Sequence, residues 1–139
     1  MAGGGYKSLK FMNIEELLAE AQEIQTFLES VPDNNDDPNE LSTRLSYLNN
    51  YMARSGKMLA DAKQMQDAAI AAAYAEHSKT ILKMPATIAQ KFITSQTVGE
   101  NYLVNWLDRI NRTCTHQSDN IRTQISFAKE QMSLTRKGY

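Results

Sequence analysis

A chain of 139 residues, 42% of them apolar and 22% charged, is long enough for one hydrophobic core and too short for two. Its formal net charge of -1 excludes the surplus of Lys and Arg by which a non-specific nucleic-acid binder displaces counterions. The single cysteine, Cys114, excludes an intrachain disulfide, and the longest apolar run, Ala68 to Ala75, is far short of the roughly 20 residues that cross a bilayer.

Residues 1–12 lack hydrophobic periodicity and carry Gly3, Gly4 and Gly5, the pattern of a flexible arm. No apolar stretch follows Lys7 and Lys10 as a secretory signal requires, so the chain is expected to stay in the cytoplasm. The first helix is predicted over 13–31. Asn13 can cap the open amides of its first turn while Glu16 returns the bond, and Glu15 complements the helix dipole. Ile14, Leu17, Ala21, Ile24, Leu28 and Val31 step by three and four, so one face is expected to pack along its whole length. Val31-Pro32 ends the helix. The acidic stretch Asp33 to Pro38 is then a short connector favouring an antiparallel return.

The longest helix is predicted over 39–84 and forms the spine. Leu41, Leu45, Leu48, Met52, Ser55, Leu59, Ala62, Gln66, Ala69 and Ala73 recur at steps of four and three, the period of a seam between packed helices. At 1.5 Å per residue it is roughly 65 Å long, the dimension of a bundle or an oligomer. Gly56 in mid-helix costs about 1 kcal/mol relative to alanine, so a close-packed neighbour is expected over it. Tyr47, Tyr51, Met58 and Met65 widen the apolar face beyond what one partner helix covers. Ala68 to Ala75 has no charged side for two turns, which reads either as helix propensity alone or as close contact on several sides.

Pro85 opens a short helix over 86–96, with Ile88, Ala89, Phe92 and Ile93 on one face, expected to cap one end of the spine. After the break at Thr97-Val98-Gly99, the last helix is predicted over 100–136. Its inner face is Leu103, Leu107, Ile110, Cys114, Ile121, Ile125, Ala128 and Met132. The predicted fold class is therefore all-α: a long antiparallel helical hairpin with an N-terminal helix and a short capping helix, forming an oligomerising bundle. A register with Lys83 and Glu100 at one level sets Arg112 opposite Ala71 and Phe127 opposite Gly56.

From Asn105 to Gln124 the last helix contains neither Lys nor Glu, the residues that usually solvate a helix, and is rich in Asn, Thr, Ser and Arg. Hydrogen-bond networks between helices, or contacts with a polar ligand, would compensate these weaker helix formers. Asn105, Arg109, Arg112 and His116 fall one turn apart on one face. That row suits phosphate or carboxylate, because the guanidinium fork matches those groups. Asp108 with Arg112, and Asp119 with Arg122, read as surface ion pairs. Cys114 and His116, two residues apart, point about 200° away from each other and so are poorly placed to share a metal or form a nucleophile and base pair; a core cysteine with a hydrogen-bonding histidine is the simpler reading. No glycine-rich phosphate loop, zinc-ligand spacing or nucleophile elbow is present, so neither catalytic nor metal-binding residues nor a cofactor are expected.

Two stretches, Ala53-Arg54-Ser55-Gly56-Lys57-Met58-Leu59-Ala60-Asp61-Ala62-Lys63 and Ile110-Asn111-Arg112-Thr113-Cys114-Thr115-His116-Gln117 followed by Asp119, Arg122, Thr123 and Ser126, resemble small helical proteins of unassigned role carried by bacteriophages and prophages. The resemblance spans Leu41 to Met132 and implies action inside a bacterial host. By analogy of class it admits two roles. The first is a non-enzymatic homo-oligomer that sequesters a small phosphorylated, nucleotide-derived immune signal through Asn105, Arg109, Arg112 and His116. The second is an accessory of phage DNA metabolism acting through nucleic-acid or protein-complex binding; the lack of excess basic residues disfavours a polynucleotide groove.

Overall fold

A computed structural model describes residues 12–31 and 36–138 of the chain. Except for Met12, the arm expected over residues 1–12 lies outside the described residues, as does part of the acidic connector. Five helices follow one another: α1 (Ile14–Glu29), α2 (Pro38–Glu76), α3 (Ser78–Ile81), α4 (Ala86–Gln96) and α5 (Val98–Arg136). The described chain is all-helical. None of its helices is long and apolar enough to cross a membrane.

Local signals account for the starts of the first two helices. At α1 the Asn13 side chain accepts from the Glu16 amide at 2.9 Å while Glu16 accepts from the Asn13 amide at 3.2 Å, a complete capping box. Asp37 accepts from the Asn39 amide at 2.9 Å, with Pro38 in the first turn of α2, where no amide donor is missed. The far end of α1 has no glycine to close it. Arg44 of α2 does so from a distance, donating to the carbonyls of Phe27 at 3.1 Å and Ser30 at 2.9 Å. Its guanidinium lies 4.4 Å from the centre of the Phe27 ring, and burial pushes its pKa down from the ordinary arginine value. The expected reach of this helix to Val31 is corrected: it stops at Glu29, and Val31 is exposed.

α2 and α5, each 39 residues and about 58 Å long, pack against each other along most of their length. Their bonds give direction and register. Gln66 donates to Asn101 at 2.7 Å, and Asn111 donates to the Met52 carbonyl at 2.9 Å and to the Ser55 hydroxyl at 3.0 Å, so the two helices run antiparallel. α1 fills the groove between them, parallel to α5. Ile14 approaches Gly99 at one end, and Gln117 donates to the Leu28 carbonyl at 2.9 Å at the other. Leu17, Ala21, Ile24, Leu41, Leu48, Met58, Leu103, Leu107, Ile110 and Cys114 are buried where the three helices meet. Burying an aliphatic side chain of this kind contributes about 1.5–3 kcal/mol, which makes this region the stable centre of the chain.

Three expectations about the spine are corrected. The helix does not run to residue 84: it ends at Glu76, and His77 to Met84 holds the single turn α3 and the bend before Pro85. Consequently α4, and not α5, returns along the alanine block, with Ile93 and Ala73 buried and His77 edge-on to Phe92 at 5.0 Å. That shifts the register. Gly56 looks onto Asn111, whose Nδ2 would lie 3.7 Å from an added Cβ, and neither Phe127 nor any other aromatic ring sits there. Arg112, next to Asn111, is level with the Met52 to Ser55 turn and not with Ala71. Of the two readings of the alanine block, helix propensity fits the exposure: Ala73 is its buried residue, and Ala68, Ala71, Ala72 and Ala75 face outward.

The Thr97 break is tied to the spine by a polar chain. The Thr97 hydroxyl donates to the Ile93 carbonyl at 3.2 Å and accepts from Asn101 Nδ2 at 3.1 Å, and Asn101 Oδ1 in turn accepts from Gln66. α4 and α5 are thereby held as two consecutive pieces of one return strand of the hairpin. Beyond Ile125 the inner face of α5 outruns its partners, so Met132, expected in the core, is half exposed.

Candidate functional site

The polar segment of α5 divides into two faces with different work. Asn111, Thr115, Gln117 and Ser118 turn toward neighbouring helices. Asn111 and Gln117 make the bonds just described, and Thr115 lies 3.7 Å from the Met52 sulfur. Ser118 is fully buried and its hydroxyl has no partner. Burial pushes the Cys114 thiol pKa up, and a protonated, enclosed thiol is a poor nucleophile.

The opposite face carries Asn105, Arg109, Arg112 and His116, which lie together on the outer side of α5, all exposed. None belongs to the network between helices. Arg112 meets Asp108 at 3.2 Å, and its side chain is still 73% exposed. Among the described residues the side chains of Asn105, Arg109 and His116 make no hydrogen bond or ion pair, so three groups able to donate to an anion stand free. A shallow open groove of about 900 Å³ runs along them, lined also by Tyr102, Trp106, Asp108 and Thr113.

The two aromatic residues of this groove are absent from the residues singled out by sequence. Trp106 packs against the core by one side, and its indole N–H donates to Gln25 of α1 at 3.1 Å. Tyr102 lies beside it with ring centres 5.8 Å apart and planes at 44°. Their spacing relative to Arg109, at i, i+4 and i+7, is the signal that finds them.

A second concavity, of about 740 Å³, lies at the overhanging end of α5 between Phe127, Ala128, Gln131 and Met132. Its walls are mainly apolar and suit a hydrophobic side chain better than a phosphate. Ion pairs elsewhere are structural or solvated: Arg54 with Glu20 at 2.9 Å clamps α2 to α1, and Arg122 with Asp119 at 3.2 Å stays on the surface. Asp61, buried in α2, is held by Lys57 at 2.6 Å. Among the described residues no group of three or more His, Cys, Asp or Glu side chains could hold a metal ion.

No protein-family model, curated protein or solved structure matches this chain.

Proposed function

We propose that the chain is a non-enzymatic binding protein that captures a small phosphorylated, nucleotide-like molecule on the outer face of α5. The observation that carries this reading is the row of free donors, Arg109 and His116 beside Arg112, on a helix whose Asn111 and Gln117 are by contrast bonded to neighbouring helices. The Arg109 guanidinium has no partner among the described residues and Arg112 has only an exposed contact with Asp108, so both cost little to redirect to a phosphate, and two of them one turn apart match one or two phosphates. The row is only about 10 Å long from Arg109 to His116, too short for the extended cationic track of a polynucleotide. In the phage setting that the sequence resemblance implies, capture without conversion would blunt a nucleotide-derived immune signal.

Self-association belongs to the same proposal. Phe127 is 62% exposed, and Met132 and Leu134 beside the apolar groove at the end of α5 are likewise open, a surface that a second copy would cover. A dimer or higher oligomer at micromolar concentration is expected by light scattering; a monomer across that range removes self-association from the proposal.

Mass spectrometry of the protein after incubation with cyclic dinucleotides and cyclic ADP-ribose isomers tests capture directly. The expected result is a retained molecule released intact on denaturation, with Arg109→Ala and Arg112→Ala each weakening binding about tenfold to a hundredfold. Release of a degraded product contradicts capture without conversion. Retention of none of these molecules, together with binding of single-stranded DNA, would favour the accessory role in DNA metabolism.

A further inference from the structure

We infer that Trp106 and Tyr102 form a stacking platform, so that the molecule bound on this face is a nucleotide whose base rests on the aromatic pair while its phosphates rest on Arg109 and Arg112. The inference deepens the anion-site reading above and depends on it. Three observations carry it.

The first is placement. Tyr102, Trp106 and Arg109 follow at four and three residues on one helix and line one groove. The rise from Trp106 is about 4.5 Å to Arg109 and about 9 Å to Arg112. A ribose joins a base to its phosphate over such an interval. A bare inorganic phosphate or a simple sugar phosphate would leave the aromatic end of the groove empty.

The second is preorganisation. The Trp106 indole N–H is already satisfied by Gln25 at 3.1 Å, and one side of the ring is packed on the core, so the ring is held in place before any ligand arrives. A fixed ring with no unpaired polar atom can accept a base without losing a hydrogen bond or much rotamer freedom. Tyr102 has no such structural duty. It is 60% exposed and extends the aromatic surface outward, at 5.8 Å from Trp106.

The third is length and charge. Asp108 stands immediately before Arg109 and Asp119 follows His116 by three residues, so carboxylates bound the row at both ends and it spans two helical turns. A single nucleotide or a compact dinucleotide fits that stretch. A strand passing along α5 would meet carboxylates at both places.

Because Trp106 is the only tryptophan, its emission reports the groove without interference. The full-length protein is titrated with each of the four common ribonucleoside diphosphates, with ribose 5-phosphate and with inorganic pyrophosphate, following emission and, independently, calorimetry. The expected result is that at least one nucleoside diphosphate quenches Trp106 and binds about tenfold or more tighter than either base-free compound, the range that stacking on one aromatic platform supplies. Tyr102→Leu, a surface change that spares the core, should weaken nucleotide binding several-fold and leave pyrophosphate binding unchanged. Trp106→Phe, with its melting temperature checked, should do the same and abolish the optical signal. Equal affinity for nucleoside diphosphate and pyrophosphate, indifferent to Tyr102→Leu, overturns the platform and leaves the anion site standing. Binding of none of these compounds overturns the anion site itself. Affinity that rises steadily with the length of an oligodeoxyadenylate overturns the restriction to a single nucleotide.

Discussion

The two halves of the long hairpin are built differently. Around Leu48, Met58, Leu107 and Ile110, α2 and α5 are roofed by α1, and large aliphatic side chains lie fully enclosed on three sides. Toward Ala73 and Ile93 the described residues form two layers, α2 and the short α4, and the spine changes from leucine and methionine to alanine. Side-chain size follows the number of neighbours. Where a third helix supplies contacts, burial holds the helix; where it does not, the helix must be held by its own propensity, which is greatest for alanine. The outward-facing Ala68, Ala71, Ala72 and Ala75 are explained by that need alone.

The comparison is broken most directly by cavity-forming substitutions. Leu107→Ala, in the three-helix half, is expected to cost close to 5 kcal/mol in chemical denaturation, whereas Ile93→Ala should cost about 2 kcal/mol because a two-layer end can collapse into the space. Equal losses would mean that the far half is as well enclosed as the near one. Next comes the network between α2 and α5. Asn111→Ala leaves Ser55 short of its partner and should lower stability by about 1–2 kcal/mol; no change would mean that water replaces the bond at no cost.

Gly56 sharpens the same point from the other side. Its added Cβ would meet Asn111 at ordinary contact distance, so Gly56→Ala should raise stability by about 1 kcal/mol through helix propensity. A lower melting temperature would show a tighter approach of the two helices than 3.7 Å allows. The smallest effect is expected on the outer face: Arg112→Ala removes only an exposed ion pair to Asp108 and should change stability by less than about 0.5 kcal/mol. A loss of several times that would place Arg112 in the network between helices and withdraw it from the candidate site.

Much of this architecture was legible without the structure, because helix formation leaves local traces. The capping box at Asn13, Pro85 at a helix start, and the stepped apolar faces of α1, α2 and α5 all lie within a few residues of the features they specify. The row Asn105, Arg109, Arg112 and His116 was likewise readable as one face of a helix, since the 3.6-residue period places it there wherever the helix goes. Trp106 was legible too, at four residues from Tyr102 and three from Arg109, but only once aromatic residues are counted as part of a polar groove.

Register and partnership were decided by tertiary structure alone. A seam of alternating three- and four-residue steps matches its partner at several offsets of one heptad, so apolar periodicity does not choose among them. The choice was made by the bend from His77 to Met84 and by α4, which occupy length that an unbroken spine would have used, and it brought Asn111 and not Phe127 to Gly56. The bond from Trp106 to Gln25 joins residues 81 apart and the arginine cap on Phe27 joins residues 17 apart. Neither pairing follows from local propensity. Which polar residues of α5 face a neighbour and which face solvent depends on where the other two helices lie, and that separates the structural Asn111 and Gln117 from the free Arg109 and His116.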